Sequence, residues 1–413
     1  MLHGVLGSAA LLALAYGLSE ARRKIPWRTV VAGVALQWML ALLLTGFPSA
    51  AHFMLLLNDG ADALSRATDT GTGFVFGYLA GGALPFAELH PGASFILAFK
   101  ALPLVLMISA ISAVLFHWGV AQRITGAFAF VLRRAMGIGG ALALGAAVHV
   151  FVGMIEAPLL VRPYLARMQR GELFALMTCG MAGVAGTVMV IYAAFLAPVL
   201  PNALGAILTA SIISTPAGLA VAALMVPFTA VADETCRIVI EDAPSSTVDA
   251  VVAGTAAGIP ILVGIAATLL VTIALVTLLN MTLGLLPDVH DGPITLQRIA
   301  SVPFMPVMWL IGIPWSEVAT AGHLMATKTV LNEFVAYLGL AGLPAEALAP
   351  RSKLILTFAL CGFANFGSLG ILIGGLGAMV PHRRAEVVAL GLRSILSGTI
   401  ATCMSGAVIG ALN

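Results

Sequence analysis

The sequence predicts an all-α integral membrane protein with eight spanning helices and two re-entrant hairpins arranged as an inverted repeat. Three observations lead there. Of the 413 residues, 60% are hydrophobic and only 9% are charged, with a mean hydropathy of +1.06, whereas soluble domains carry about 25% charged residues. Apolar runs of roughly the 20 residues needed to cross a bilayer recur along the whole chain. The basic residues between those runs concentrate on alternate loops, the bias that orients membrane helices. The net charge of +2 is too small to point to nucleic acid, and no such partner is expected.

Residues 1–20, MLHGVLGSAALLALAYGLSE, have no basic start, and Arg22, Arg23 and Lys24 follow them. A secretory signal places its positive charge first. The run 3–19 therefore reads as a first spanning helix with its N-terminus outside, leaving RRKIPWR in the cytoplasm. The second span is 29–47. Residues 48–93 read as a polar, Gly-rich outer segment with a short surface helix. The third span, 94–118, precedes a basic amphipathic stretch at 119–135 that suits an interfacial helix on the cytoplasmic face. Further spans fall at 173–198, 203–228, 253–286, 353–379 and 387–411, and 253–286 is long enough to tilt. The acidic stretch 229–250 reads as a solvated linker. Cys179, Cys236, Cys361 and Cys403 are far apart, form no CxxC pair, and read as small packing residues.

Two apolar stretches, 138–166 and 316–345, are each interrupted halfway by a polar residue. The charge bias survives only if neither of them crosses. As full spans, each would invert everything after it and scatter Arg123, Arg162, Arg383 and their neighbours over both sides. They read as re-entrant hairpins, the first entering from inside and the second from outside, with both chain termini on the outer side. Glu156 sits near the first turn and VAGTVMVIY follows at 184–192. Glu333 sits near the second and FANFGSLGI follows at 363–371. From Glu156 to Val184 is 28 residues, and from Glu333 to Phe363 is 30. This is the layout of secondary transporters built from inverted repeats, whose substrate sites lie at mid-membrane where broken elements meet. The expected division is an N-terminal scaffold with outer connector over 1–118, a first transport repeat over 119–228, the acidic loop and long scaffold helix over 229–294, and a second transport repeat over 295–413.

A carboxylate at mid-bilayer costs about 3 kcal/mol on insertion scales. Glu156 and Glu333 are therefore candidate functional groups, the structural alternative being an ion pair or a carboxylate capped by backbone amides at a hairpin tip. Asn365 and Ser368, three apart, share one helix face and offer hydrogen bonds to a hydroxyl-rich ligand, with polar contacts between helices as the alternative. Gly362, Gly367 and Gly370 permit close packing or a local break. The chain has no HExxH, GxSxG or phosphate-loop motif. His117, His149 and His323 lie on separate segments without metal-ligand spacing. No enzyme activity, cofactor or metal centre is expected.

The segments KIPWRTVVAGVALQW (24–38), FVFG (74–77), FVGMIEAPLLVRPYL (151–165), GIPWSE (312–317), KTVLNEFVAYL (328–338) and RSKLILTFALCGFANFGSLGI (351–371) resemble the concentrative nucleoside transporter family over nearly the whole chain. The resemblance implies a homotrimer in which a mobile domain containing both hairpins moves as an elevator against a fixed scaffold. It implies ribose binding by Glu333, Asn365 and Ser368 with Phe363 beside them, and base binding by Gly153, Met154, Ile155, Glu156 and Val188. The family's hairpin tip usually reads G-Q-T-E-A-P; here Met154 and Ile155 replace the glutamine and threonine, so weaker reading of the base edge is expected. It also implies a sodium site made of an asparagine, a serine and backbone carbonyls. Those positions are His149 and Gly183, with Val152 and Val184 for the carbonyls. Imidazole is a poor ligand for a hard cation that prefers oxygen, and glycine offers no side chain. The expectation is a nucleoside importer of the cytoplasmic membrane driven by protons rather than sodium, with His149, a side chain whose reference pKa is about 6.5, or Glu156 carrying the proton. A transporter of the same fold for another ribosyl or non-nucleoside solute, a sodium-independent facilitator, a membrane sensor and an intramembrane enzyme stay open as alternatives.

Overall fold

The computed structural model of the chain describes residues 2–87, 94–229, 244–289 and 292–413. Most of the expected acidic linker, with Arg237 and Cys236, lies outside the described residues. Among those described, all regular structure is helical. The N-terminal part holds α1 (Leu2–Gly17), α2 (Trp27–Gly46), α3 (Pro48–Phe76), α4 (Leu97–Lys100) and α5 (Leu104–His117). A first series follows: α6 (Val120–Met136), α7 (Gly140–Val148), α8 (Glu156–Leu160), α9 (Arg162–Leu165), α10 (Arg170–Ala182), α11 (Gly186–Leu196) and α12 (Ala203–Met225). After the long α13 (Thr247–Leu283), a second series repeats its order: α14 (Leu296–Leu310), α15 (Val318–Val330), α16 (Glu333–Ala341), α17 (Pro350–Leu360), α18 (Phe366–Met379) and α19 (Arg384–Leu412). Each series runs leading helix, helix–break–helix hairpin, interrupted helix, long helix.

Six helical stretches among the described residues are long and apolar enough to cross a membrane: α2, α4 with α5, α10 with α11, α12, α13, and α19 with the turn before it. The other two expected spans are the 16-residue α1 and the α17–α18 pair. In both hairpins the expected helix–break–helix form is present, with α7 packed on α8 and α15 packed on α16.

Three expectations need correction. The spans 173–198 and 353–379 are not continuous. After Ala182 the backbone turns extended at Gly183 (φ −127, ψ 173) and α11 restarts at Gly186. After Leu360 it opens until Asn365, whose side chain caps α18 by accepting from the Ser368 N–H at 2.7 Å. Hydropathy does not register either interruption, because the freed backbone groups find protein partners instead of charges. The two breaks meet, and the Phe363 N–H donates to the Gly183 carbonyl at 3.2 Å, as unpaired backbone at this depth requires. Second, residues 48–76 form a 29-residue helix, not a short one. Its Met54, Leu57, Ala61 and Leu64 stripe packs inward while Asp59, Asp62, Arg66 and Asp69 are exposed, an amphipathic pattern that its glycines obscure in the sequence. Third, α14 was not anticipated, since Pro303 and Pro306 lie inside it; Thr295 starts it by accepting from the Arg298 N–H.

Small residues set the helix spacing, as expected where lipid removes any hydrophobic gain from association. Gly254 and Gly258 of α13 lie against Ser109 and its neighbours on α5. Gly4 of α1 lies against Ala407 of α19, and Gly33 of α2 against Pro216 of α12. Buried hydroxyls tie the centre: Ser405 of α19 joins Ser214 of α12 (2.8 Å) and Gln37 of α2 (3.1 Å), while Thr178 of α10 joins Ser397 of α19 (2.7 Å). By contrast, only Ala250, Gly254, Gly258, Leu269 and Val276 are buried along the 37 residues of α13.

The crossing of the two breaks gives a direct test. A Cβ on Gly362 would lie 2.7 Å from the Met181 carbonyl oxygen, a backbone atom that cannot swing away. Gly362→Ala is expected to destabilise the protein by about 1–3 kcal/mol, read as a lower thermal-unfolding midpoint in detergent. Gly370→Ala, where a Cβ meets nothing within 4 Å, should not lower it.

Candidate functional site

The breaks of both hairpins and both interrupted helices converge on one cavity of about 570 Å³. The α7–α8 connection contributes Gly153, Met154, Ile155 and Glu156. From α11 come Thr187, Val188 and Tyr192; from the second hairpin, Asn332, Glu333 and Phe334; from the α17–α18 break, Phe363, Asn365 and Ser368. The remaining wall is α13, from Ala257 to Leu269. The volume is that of a small-molecule site.

Glu333 is the most constrained polar group in this cavity. Asn332 caps α16 by accepting from the Val335 N–H at 3.0 Å, so Glu333 becomes the first residue of the helix, where the helix dipole favours a carboxylate. It is 4% exposed. Oε1 accepts from the Tyr192 hydroxyl at 2.7 Å and Oε2 accepts from Asn365 Nδ2 at 2.9 Å. The Tyr192 ring is held against Tyr337 and Phe334, and Tyr337 is anchored by donating to the Thr357 carbonyl at 2.8 Å. Each carboxylate oxygen is thus fixed by one donor and keeps further acceptor capacity.

Asn365 and Ser368 do not merely share a helix face, as the sequence suggested. Asn365 is the cap itself, with Oδ1 on the Ser368 N–H and Nδ2 on Glu333. Glu156 differs from Glu333. It is exposed to the cavity, and its side chain makes no hydrogen bond or ion pair among the described residues. The carboxylate folds back over Gly153, where a Cβ would lie 2.2 Å from Oε2. Because that oxygen ends a flexible side chain, Gly153→Ala is expected to move the carboxylate at little cost in stability. It should alter ligand selectivity while stability changes by about 0.5 kcal/mol or less, as competition uptake and thermal unfolding will show.

The nine residues expected at the substrate therefore line one cavity. His149, Val152, Gly183 and Val184 do not line it. His149 is 5% exposed, with a buried Nε2 that has no hydrogen-bond partner among the described residues, and its ring lies over Gly180 of α10. Ser211 of α12 accepts from the Val184 N–H at 3.2 Å and lies 3.4 Å from the Val184 carbonyl oxygen.

Sequence reasoning passed over Tyr192, Ser211 and Lys328. A tyrosine in an apolar helix needs a partner for its hydroxyl, and a lysine inside a hairpin is a functional candidate by default, so the last was within reach. Lys328 is fully buried on α15, its ammonium makes no hydrogen bond among the described residues, and it is within electrostatic range of Glu333, Cys361 and Cys403.

Irregular backbone meeting around a largely apolar cavity with a buried carboxylate, inside an apolar helical bundle, is the arrangement of membrane transporters. Residues 6–79 and 206–410 match the models described as the N- and C-terminus of a Na+ dependent nucleoside transporter, and residues 98–199 match the gate model described as nucleoside recognition. The chain is 36% identical over 420 residues to an uncharacterized transporter of Haemophilus influenzae, covering 99% of this chain and 97% of that one. It is 32% identical over 420 residues to the putative nucleoside permease NupX of Escherichia coli, covering 99% and 98%. The structure of CNTnw in an inward-facing substrate-bound state superposes with a TM-score of 0.87 at 35% identity, covering 99% of this chain and 97% of that one. The chain belongs to the concentrative nucleoside transporter family, a family of transporters and not of enzymes.

Proposed function

We propose that the protein is a secondary active transporter that imports nucleosides across the cytoplasmic membrane with proton coupling. The observation that carries the substrate assignment is the Glu333 carboxylate, buried, held by Tyr192 and Asn365, and still able to accept. Two ribose hydroxyls are the matching donors. A ligand lacking either would leave the carboxylate desolvated and underpaired, which is the strongest form of discrimination a site can build. Phe363, Asn365 and Ser368 complete the ribose side, and Gly153, Met154, Ile155, Glu156 and Val188 form the base side.

His149, Glu156, Val152, Gly183 and Val184 are the residues we assign to coupling. The matching family models are described as sodium-dependent, so sodium is the direct competitor. Gly183 brings no oxygen ligand and His149 brings nitrogen; both favour the proton.

We further assign an elevator movement of the two hairpin-containing repeats within a homotrimer, with both termini on the outer side. The packing supports a boundary different from one drawn by sequence order. Because α1 lies along α19 and α2 along α12 through close glycine contacts, we place them with the moving repeats. The fixed part is then centred on α5 and α13, consistent with the largely unburied surface of α13.

The test is uptake into proteoliposomes. Unlabelled ribonucleosides should compete with a labelled one, and 2′-deoxy and 3′-deoxy analogues should compete poorly. If ribonucleosides fail, or the deoxy analogues compete equally, the ribose assignment of Glu333 is wrong.

A further inference from the structure

The cavity holds two carboxylates in opposite states. Glu333 is held by two donors, whereas Glu156 has none among the described residues. Glu156 comes from the first hairpin and Glu333 from the second, and both face the same space. The neighbours of Glu156 on its own connection bring no hydrogen-bonding side chain. Met154 is buried with its Cβ toward Gly180, and Ile155 lies against Gly375 of α18. Of the nearby α11 residues on the cavity wall, Val188 is apolar and Thr187 carries a hydroxyl that makes no hydrogen bond among the described residues.

An unpaired carboxylate is an acceptor-only surface with two oxygens side by side. It is best satisfied by two adjacent N–H donors, in the paired charge-assisted geometry that makes such contacts strong. Among the common nucleobases, guanine alone presents this pattern on its pairing edge, with N1–H next to the 2-amino group. Hypoxanthine offers one N–H. Uracil offers one N–H flanked by two carbonyls that repel a carboxylate. Adenine and cytosine place a ring-nitrogen lone pair beside their amino group, which also faces the carboxylate unfavourably.

We propose that Glu156, when it does not hold the coupling proton, makes the base side of the cavity selective for 2-amino-6-oxopurine nucleosides, its carboxylate accepting from N1–H and the 2-amino group of guanosine. This rests on the nucleoside reading of the cavity and adds the base class to it.

The test is a competition series in proteoliposomes with guanosine, inosine, adenosine, cytidine and uridine, on the wild type and on Glu156→Gln. Guanosine should compete best, ahead of inosine, and should exceed adenosine, cytidine and uridine by about tenfold or more. Glu156→Gln replaces two acceptors by one acceptor and one donor. Guanosine should then weaken by about tenfold or more, while adenosine and uridine, whose edges pair a donor with an acceptor, should improve relative to it. A variant that inserts but does not transport is read by ligand-induced thermal stabilisation in detergent, which reports binding alone. A wild type that ranks uridine or adenosine with guanosine, or a variant that keeps the wild-type ranking, overturns the proposal. The ribose reading fails separately, through equal competition by guanosine and its 2′-deoxy analogue.

Discussion

Glu333→Gln should lower nucleoside uptake by about a hundredfold without removing the protein from the membrane. The carboxylate receives one hydrogen bond on each oxygen, from Tyr192 at 2.7 Å and Asn365 at 2.9 Å. A carboxamide keeps one oxygen and turns the other position into a donor. That donor faces either the Asn365 amide, where donor is set against donor, or the Tyr192 hydroxyl, which must turn to accept; in both cases a charge-assisted contact is lost. Charge-assisted hydrogen bonds contribute about 1.5–3 kcal/mol each, and about 3 kcal/mol corresponds to a hundredfold. Tyr192→Phe removes a single donor that touches only the carboxylate, so a smaller loss of about tenfold is expected, together with a narrower gap between ribo- and deoxyribonucleosides. If both variants transport as the wild type does, Glu333 does not hold the substrate.

The second large effect concerns the driving ion. Uptake should persist when choline replaces sodium and should collapse when a protonophore dissipates the proton gradient. Strict dependence on sodium would sink the proton reading. His149→Asn combined with Gly183→Ser introduces two oxygen-bearing side chains at the positions we assign to coupling, and the double variant should acquire stimulation by sodium. The two substitutions are not equally easy. A Cβ at Gly183 comes no closer than 3.6 Å to Ser211 Oγ, so the added serine has room. The imidazole of His149 packs closely on Gly180, where a Cβ would lie 3.1 Å from its Cε1. The shorter asparagine relieves that contact, so neither change should prevent folding.

Much of the architecture was legible before any coordinates. The hairpins were found because two extra crossings would have scattered Arg123, Arg162 and Arg383 over both sides, and charge placement reports topology directly. Glu333 stood out because a carboxylate in an apolar run is costly. The interruptions at Gly183 and between Leu360 and Asn365 were not legible, because hydropathy reports the depth of a segment and not the path of its backbone. The length of α3 was missed for a related reason: its glycines sit on the open side of an otherwise amphipathic stripe. Tyr192 went unnoticed because the residue it serves lies 141 positions away.

Composition and the order of charges were enough for the membrane class, the number of crossings and the inverted repeat, since each follows from transferring single segments between water and lipid. Which groups meet was settled only in the folded chain. Gly183 and Phe363 share a hydrogen bond, Glu333 is held by residues of two other elements, and Glu156 is left without a partner among the described residues. Those outcomes depend on the distances between helices that small residues allow, and no single segment carries that information.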